Sequence, residues 1–351
     1  MKPTVNDIAR VAKVSLATVD RVLNARPGVR QTTVDKVHRA IADLGYVRDT
    51  AAANLARGRI YRFLFIMPAN TTEFLTLLED HITEQSAVLV RERTQVVCQR
   101  VPAFDPMALA EAISRVDPSE VDGVAVFGPE TPSVRDSIAG LRANGVVVVS
   151  LVSDIPSSDR NNYVGIDNVA AGRTAGQLMG RFVGPGPGDI LVVTGSMLAR
   201  DHLERRLGFD EVMARDFPQL RVLPSLEGRD DADLIERLLP QALGQSDNIR
   251  GIYSSAAGNT GLVRHFEKSG GTSPVTIAHE LTPLSRAALG SGLFDAVISQ
   301  DTGHLIRSAI RIMRANSDRA PINLAQERIR IDVYLKENLP PDPAAKEGGL
   351  Q

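Results

Sequence analysis

Near the N-terminus, apolar side chains recur at helical spacing in three short stretches. The apolar positions are Ile8, Val11 and Ala12 in the first stretch, Val19, Val22 and Leu23 in the second, and Val34, Val37, Ile41 and Leu44 in the third. Only Lys13 and Val14 lie between Ala12, at the end of the first helix, and Ser15, at the start of the second. Two helices joined by so short a link must pack at a steep angle. That is the helix-turn-helix arrangement, whose second helix enters the major groove of DNA. The third helix is predicted over Gln31–Leu44, and Gly45 ends it.

Polar residues at the helix starts support this interpretation. Thr4 precedes the first helix and Asp7 follows three residues later, which resembles a capping box. Ser15 is placed to cap the second helix through its hydroxyl. Further on, residues 46–60 offer a short helix over Ala51–Ala56, in which Leu55 is the single large apolar side chain. So short a helix does not persist in water without a partner, which suits folding on DNA; the alternative is a plain interdomain linker.

From residue 62 the pattern changes to alternating apolar runs and amphipathic helices. The predicted strands are Arg62–Met67, Gln95–Arg100, Val124–Phe127, Val146–Leu151, Asp189–Thr194, Leu220–Pro224, Gly251–Ser254, Val275–His279 and Ala296–Ser299. The predicted helices are Glu73–Arg91, Pro106–Val116, Pro132–Asn144, Val169–Phe182, Asp201–Asp216, Ala232–Leu243 and Gly258–Ser269. This alternation predicts an α/β fold with parallel sheets covered on both faces. Residues 62–335 are too many for one such sheet, so two lobes are expected.

Charge is distributed unevenly along the 351 residues. Residues 1–60 contain eleven Lys and Arg against five Asp, a net charge of +6, whereas the remainder carries −8. A basic head on an acidic body indicates that only the head meets a polyanion, although chance clustering would give the same numbers. Cys98 is the single cysteine, so no intrachain disulfide is possible. We find no signal peptide and no apolar run of membrane-spanning length, and therefore expect a soluble cytoplasmic protein without a membrane partner.

The head motif resembles that of a known family. Residues 7–24 read D-I-A-x-x-A-x-V-S-x-x-T-V-x-R-V-L-N, with L-G-Y and N-L-A-R following. Residues 4–58 look like the DNA-binding head of the lac-repressor family, and residues 60–335 look like its effector domain, which is similar to periplasmic sugar-binding proteins. The resemblance implies a head over residues 1–48, a hinge over 49–60 and a two-lobed ligand-binding and dimerisation domain over 61–337. Lobe 1 would comprise about 61–152 and 301–318, lobe 2 would comprise about 153–300 and 319–337, and residues 338–351 are expected to be a disordered tail.

By that resemblance, Leu16, Ala17 and Arg21 occupy the base-reading positions of the second helix. Arg21 can bond guanine O6 and N7 bidentately, or alternatively contact a phosphate, whereas Leu16 and Ala17 offer apolar contact only. Asp20 departs from the family, which usually has Ser there; it could accept a hydrogen bond from cytosine N4.

The remaining head residues are better understood as caps and phosphate-positioning groups than as readers of bases. They are Thr4, Ser15, Thr18 and Asn24. Leu55 matches the hinge leucine that wedges between base pairs in the minor groove, and Ala56 neighbours it in the same short helix.

Polar side chains follow the predicted strands of the larger domain, where ligands of parallel α/β lobes bind. The candidates are Asn70, Glu73, Phe74, Glu130, Ser153, Asp154, Asn259, Glu280 and Gln300. Carboxylates and amides that surround an aromatic ring suit a polyhydroxylated ligand. The resemblance adds Arg205 as a sugar-binding arginine, places Glu280 where relatives have Asp, and assigns Gln300 to a ligand-binding position. For each of these residues the alternative is an ordinary loop or cap hydrogen bond.

Other chemistry finds no support in the sequence. The Gly-Pro-rich run over residues 184–188 precedes a strand, so it fails the context of a phosphate loop. The six histidines share no metal-ligand spacing, and G-x-S-x-G is absent. No cofactor and no metal are expected.

These features together predict a repressor controlled by a sugar or polyol and bound as a homodimer to a pseudo-palindromic operator in double-stranded DNA. The alternatives are a sugar- or nucleotide-handling enzyme with a DNA-binding head, and an architectural DNA binder.

Overall fold

The computed structural model describes residues 3–23, 26–46, 59–70, 72–270 and 273–341. The chain divides into two compact units, Met1–Arg59 and Ile60–Gln351. The roles predicted for Asn24, Leu55 and Ala56 lie outside the described residues, as do the hinge helix and the end of the tail. Among the helices of the described chain, none has the length and apolar content that crossing a bilayer requires.

The described part of the first unit has three helices around one small core. These are α1 (Val5–Ala12), α2 (Leu16–Leu23) and α3 (Gln31–Leu44). The fully buried positions are Ile8, Ala12, Val19, Val37 and Ala40. Val11 was predicted to face inward, but it is 44% exposed. The inner stripe of α1 instead runs through Val5, Ile8, Ala9 and Ala12, which places Val11 about 100° away around the helix.

The second unit contains two sheets. Sheet A has the order β2-β1-β3-β4-β5 and is parallel throughout. Its strands are β1 (Tyr61–Pro68), β2 (Thr94–Val101), β3 (Gly123–Val126), β4 (Val147–Leu151) and β5 (Asn162–Val164). Between them run α4 (Glu73–Leu89), α5 (Pro106–Ser114) and α6 (Pro132–Ala143).

Sheet B has the order β11-β10-β9-β8-β6-β7, and only its edge strand β11 is antiparallel. Its strands are β6 (Gly188–Thr194), β7 (Leu220–Glu227), β8 (Ile249–Ser254), β9 (Val275–His279), β10 (Ala296–Ser299) and β11 (Asp332–Tyr334). Its helices are α7 (Asn168–Val183), α8 (Arg200–Asp216), α9 (Ala232–Leu243), α10 (Asn259–Ser269) and α11 (Pro283–Ser291). The α/β architecture with parallel strands is therefore confirmed, with one antiparallel edge that the pattern did not predict.

The chain passes between the two sheets three times. It leaves sheet A after Val164, later than the boundary expected near residue 152, because β5 adds a short strand beside β4. It returns after Ser299, where α12 (Thr302–Ser317) packs on β3 and β4 of sheet A. It then runs through the short α13 (Leu324–Glu327) to β11 in sheet B. Each lobe is therefore assembled from separate segments of the chain.

Candidate functional site

Helix α2 presents its predicted base-reading residues to solvent. Leu16 is 50% exposed, and Ala17 and Arg21 are exposed as well. The Ser15 hydroxyl accepts the Thr18 backbone N–H at 3.1 Å, so the predicted cap of α2 is present in the structure. The free surface of α2 thus offers one guanidinium and two apolar side chains.

The other polar groups of the head are held by short-range contacts. The Asp7 carboxylate accepts both the backbone N–H and the hydroxyl of Thr4, at 2.9 and 2.8 Å. These hydrogen bonds lower the pKa of Asp7 to about 2, so the cap of α1 stays charged at neutral pH. Asp20, the residue that departs from the family pattern, lies 3.5 Å from the Arg26 guanidinium. The cation offsets part of the repulsion that this carboxylate would exert on a phosphate.

In the second unit, a partly open cavity lies between the carboxyl ends of both sheets, with about 750 Å³ of empty space that includes solvent at its mouth. Five of the predicted ligand residues line it: Asn70, Phe74, Ser153, Arg205 and Glu280. A more open space of about 1340 Å³ adjoins it, and Glu73 and Asn259 line that part. The structure thus brings seven predicted residues to one cleft.

Close packing of α7 against α8 fixes the position of Arg205. A Cβ added at Gly172 would lie 2.0 Å from the Arg205 carbonyl oxygen, and one at Gly208 would lie 2.0 Å from the Val169 carbonyl oxygen. Only glycine permits the two backbones to approach this closely. The backbone of α7 therefore packs directly against the backbone of α8 at Arg205, and Arg205 is 2% exposed.

The Arg205 guanidinium is almost fully engaged within the protein. Its Nε donates to Asn168 Oδ1 at 2.9 Å, its Nη1 donates to the Ser255 carbonyl at 2.9 Å, and its Nη2 donates to Glu280 Oε1 at 3.3 Å. Gln300 Nε2 donates to the same Glu280 oxygen at 2.9 Å. Gln300 therefore orients Glu280 from behind and is not among the residues that line the cavity.

Five polar residues that the sequence did not single out also line the cavity. Asp201 and His202 come from the start of α8, Asp230 comes from the loop after β7, and Thr72 and Asp105 come from the sheet A side. His202 Nε2 lies 3.6 Å from Asp201 Oδ2. Burial alone would raise the pKa of Asp201, but the nearby His202 and Arg205 outweigh it and lower that pKa. Burial raises the pKa of Asp230 and of Glu280.

Backbone strain is concentrated around this space. Phe104, Val152, Asp230 and Glu280 all line it, and all have positive φ, between 55° and 67°. A non-glycine residue rarely adopts this left-handed conformation, and a β-branched one such as Val152 even less often. Strained residues of this kind are typical of ligand sites, where the surrounding structure holds them in place.

Several buried atoms around the cleft make no hydrogen bond to any described residue. They are Asn70 Oδ1, Asp201 Oδ1, Asp230 Oδ1, Glu280 Oε2 and Gln300 Oε1. An unpaired buried polar group costs about 1–3 kcal/mol, so a set of five indicates a polar occupant. The described residues contain no group of three or more His, Cys, Asp or Glu that could hold a metal ion.

The two remaining predicted ligand residues are engaged elsewhere. The Asp154 carboxylate accepts from Arg160 Nη2 at 2.6 Å and from the Ser150 hydroxyl at 2.7 Å, which fixes the loop after β4. Glu130 pairs with Arg135 at 3.3 Å and, across to the other lobe, with Arg200 at 3.1 Å. Both carboxylates hold the walls of the cleft, and neither is among the residues that line it.

Comparison with protein families matches both parts of the chain. Residues 4–49 match the model of bacterial regulatory proteins of the lacI family, and residues 63–319 match the periplasmic binding protein domain. The chain therefore joins a head of the lacI family of bacterial regulatory proteins to a periplasmic binding protein domain. In this lacI-family chain the helix-turn-helix lies within the first match and the cleft within the second.

Curated relatives of this lacI-family chain are named as regulators. It is 26% identical to HTH-type transcriptional regulator CelR of Thermobifida fusca, over 60% of this chain and 61% of that one. It is 23% identical to Catabolite control protein A of Staphylococcus aureus, over 63% of this chain and 64% of that one. The chain thus spans about three fifths of the length of these curated relatives.

Solved structures share the fold of the larger unit. A solute-binding protein of an ABC transporter from Burkholderia graminis, in complex with D-arabinose, is 19% identical with a TM-score of 0.71, over 80% of this chain and 96% of that one. GanP, a glucose-galactose binding protein from Geobacillus stearothermophilus, gives the same identity and TM-score, over 80% of this chain and 99% of that one. At this identity the likeness shows the fold of the lacI-family chain and nothing further.

Proposed function

We propose that this chain is a sequence-specific DNA-binding repressor of transcription whose affinity for DNA is controlled by a small polyhydroxylated ligand held between two lobes. The observation that carries the proposal is the presence, in one lacI-family chain, of an exposed α2 and a cleft lined by buried acceptors without partners. The names of the curated relatives support a regulator over an enzyme.

In the head, Leu16, Ala17 and Arg21 would contact base edges. An arginine that bonds guanine O6 and N7 supplies specificity, while Ser15 and Thr18 position the phosphates. Family analogy places two such heads on a pseudo-palindromic operator as a homodimer, in the cytoplasm where the chromosome lies.

In the cleft, the chemistry of the lining favours a ligand rich in hydroxyl groups. The unpartnered carboxylate oxygens accept from hydroxyls, and Phe74 offers a face for the apolar side of a sugar ring. Two structures with this fold are described as bound to D-arabinose or as binding glucose and galactose, which supports the same class for this chain.

Direct contacts between the lobes give the ligand a way to act. Arg200 reaches Glu130, the Leu284 N–H donates to Glu73 Oε2 at 3.3 Å, and the Asp201 N–H donates to Ser153 Oγ at 3.3 Å. A ligand that binds one lobe arrangement better than the other shifts their populations, and the shift is passed to the hinge and the heads. A ligand with equal affinity for both arrangements would change nothing.

The test has two stages. Selection of binding sites from random double-stranded DNA should yield a pseudo-palindrome that the full-length protein prefers over random DNA by about 10³-fold or more. Hexoses, pentoses and polyols are then screened by thermal shift, and any binder is added to the DNA titration. We expect an effective ligand to change the affinity for DNA by about 5- to 150-fold.

Arg205→Met and Arg206→Met form a matched pair of variants for this test. Arg205→Met should abolish the response to ligand, whereas Arg206, which pairs with Asp210 outside the cavity, should tolerate the same change. Equal affinity for selected and random DNA would contradict the reader, and unchanged DNA affinity with every bound sugar would contradict the coupling. Turnover of any sugar would favour the enzyme instead.

A further inference from the structure

The two walls of the cavity differ in chemistry. From the sheet B side come three carboxylates, Asp201, Asp230 and Glu280, together with Arg205 and His202. From the sheet A side come aromatic rings, small polar groups and one carboxylate, Asp105, which is already engaged as the cap of α5. Asp201 and Glu280 are 4% and 5% exposed, so their charges are removed from bulk water. Charges buried in this way are costly unless they meet an opposite charge.

Arg205 cannot balance all three carboxylates. Its three nitrogen atoms donate to Asn168, Ser255 and Glu280, so its one charge is committed to the Glu280 side of the cavity. Asp201 faces His202 at 3.6 Å. When all three carboxyl groups of this wall are ionised, they outnumber the single charge of Arg205 by two.

The buried atoms without hydrogen-bond partners also favour a cationic occupant. Asp201 Oδ1, Asp230 Oδ1 and Glu280 Oε2 each make no hydrogen bond to a described residue. A carboxylate is only an acceptor, so rotating the group cannot turn these atoms into donors as it could for an amide. An occupant of the cavity must therefore supply hydrogen-bond donors to these atoms. A hydroxyl supplies one donor, whereas an ammonium group supplies up to three and a positive charge.

The opposite wall is suited to a cation as well. Phe74, Phe104 and Phe127 line the cavity from the sheet A side. The face of an aromatic ring attracts a cation, and the attraction grows when the site is desolvated. A metal ion is disfavoured, since the described residues offer no group of ligands for one. An organic cation with apolar C–H surface satisfies both walls.

We propose that the ligand of this cleft is an amino sugar or a similar amino polyol, bound with its amine protonated against Asp201, Asp230 and Glu280. This inference rests on the proposed function and specifies the class of ligand for the same site. Burial raises the pKa of Asp230 and Glu280, and a cation bound beside them would favour their ionised forms. Hydroxyl groups of the same ligand would meet Asn70 and Ser153, which line the cavity beside the aromatic rings.

The test compares ligands that differ only at the amine. Binding of D-glucosamine, D-galactosamine and D-mannosamine to the full-length protein is measured by calorimetry, alongside the parent hexoses and the N-acetyl derivatives. At least one amino hexose should bind about tenfold or more tightly than both its parent and its uncharged N-acetyl form, a difference of about 1.4 kcal/mol. This comparison uses the unaltered protein and does not depend on any variant folding.

Asp230→Asn tests the acidic wall with almost no change of shape. It should remove most of the preference for the amine, because the amide keeps an acceptor oxygen but carries no charge. Asp210→Asn, on α8 where Asp210 pairs with Arg206 outside the cavity, should leave the preference unchanged. An amine preference that survives Asp230→Asn would overturn the assignment to this wall.

Failure of the inference and failure of the proposed function give different results. If parent hexoses bind as tightly as amino hexoses, or more tightly, and change DNA binding, the inference is overturned and the proposed function stands. If no compound of either set binds at concentrations up to about 10 mM, the inference of an amino-sugar ligand is overturned. If, in addition, no sugar of the wider screen alters DNA binding, the proposed function is overturned with it.

Discussion

Glu280 has a left-handed backbone with φ 67°, a side chain that is 5% exposed, and one carboxylate oxygen without a partner in the described chain. Each of these properties destabilises the fold, the backbone alone by about 1–3 kcal/mol. The Arg205 and Gln300 hydrogen bonds on Oε1 hold the residue in place despite that cost. A residue retained in this state points to binding, because packing alone would be served better by an apolar side chain.

Glu280→Gln should change how stability depends on pH. Burial raises the pKa of Glu280 in the folded state above its ordinary value, so the folded protein holds this proton more tightly than the unfolded chain does. That stabilisation is complete below pH 4.5 and is lost as the pH rises through the folded pKa. The free energy of unfolding of the native protein should therefore fall, relative to that of Glu280→Gln, as the pH rises from 4.5 towards 8.

Urea denaturation across this pH range measures the difference. Arg205, Gln300 and Asp201 surround the side chain of residue 280 in both proteins, and only the native protein has a carboxyl there to titrate. Asp233→Asn serves as the control, and its curve should run parallel to that of the native protein. Parallel curves for Glu280→Gln as well would contradict a raised pKa.

Arg21→Ala should weaken binding to the selected operator by about 1–3 kcal/mol, or roughly 5- to 150-fold, because one bidentate contact to guanine is removed. Binding to random DNA should fall far less. Titration of labelled operator and random duplexes separates the two effects. Arg39→Ala, at an exposed position of α3, is the matched control. An equal loss on both DNAs would reassign Arg21 to a phosphate contact.

Apart from Arg205, which the family resemblance supplied, single residues of the cavity were predictable only where they follow a strand. That rule placed Asn70, Ser153 and Glu280 at the cavity, and the structure does bring them there. It could not find Asp201 and His202, which lie in the first turn of α8, or Asp230, which a strained loop turns inward. Asp154 also obeyed the rule, yet it pairs with Arg160, because a partner six residues away in the chain cannot be read from strand ends.

Among the elements, long periodic ones were predicted closely and short ones were not. Strand β5 has three residues, and β11 has three residues that are only partly buried, so neither carries a pattern long enough to detect. Helix α12 is an exception among the long elements: Leu305, Ile306, Ala309 and Ile310 are buried at helical spacing, yet the predicted helices do not include it. Its return to sheet A is a property of topology, which periodicity does not encode.

The hinge gives a prediction for an element that lies outside the described residues. By resemblance, Leu55 wedges into the minor groove and helps to kink the duplex. Leu55→Ala should therefore lower affinity for the operator about tenfold or more while nonspecific binding survives. The reason is that the unstacking energy is offset by extra contacts only on a site that bends. Ala52→Ser in the same stretch is a mild control. Equal losses on operator and random DNA would remove the wedge.

For the molecule as a whole, the direct contacts between the lobes are the route by which the proposed ligand would act on the rest of the chain. The Glu130–Arg200 pair is the ionic one, and it stands next to a pair inside one lobe, Glu130–Arg135. Arg200 is also held by Glu204 on its own helix, at 2.7 Å. Each partner of the pair is therefore also held by a salt bridge within its own lobe.

Arg200→Met should weaken ligand binding about two- to fivefold, because Arg200 is 38% exposed and such a pair contributes under about 1 kcal/mol. Arg135→Met removes the neighbouring pair within one lobe and should leave ligand affinity unchanged. A double-mutant cycle with Glu130→Gln, measured by calorimetry, isolates the contact between the lobes. A coupling energy of zero would mean that this pair has no part in closure.

Helix α12 has a consequence for the order in which the chain can acquire its structure. Sheet A is complete by residue 164, but the helix that covers β3 and β4 is made of residues 302–317. A ribosome must therefore release nearly the whole polypeptide before the first-synthesised lobe can bury its apolar face. Until then Phe65 and Val149, which are fully buried in the folded protein, are not covered by α12. Nascent chains stalled before residue 302 should be the ones that chaperones hold and proteases cut.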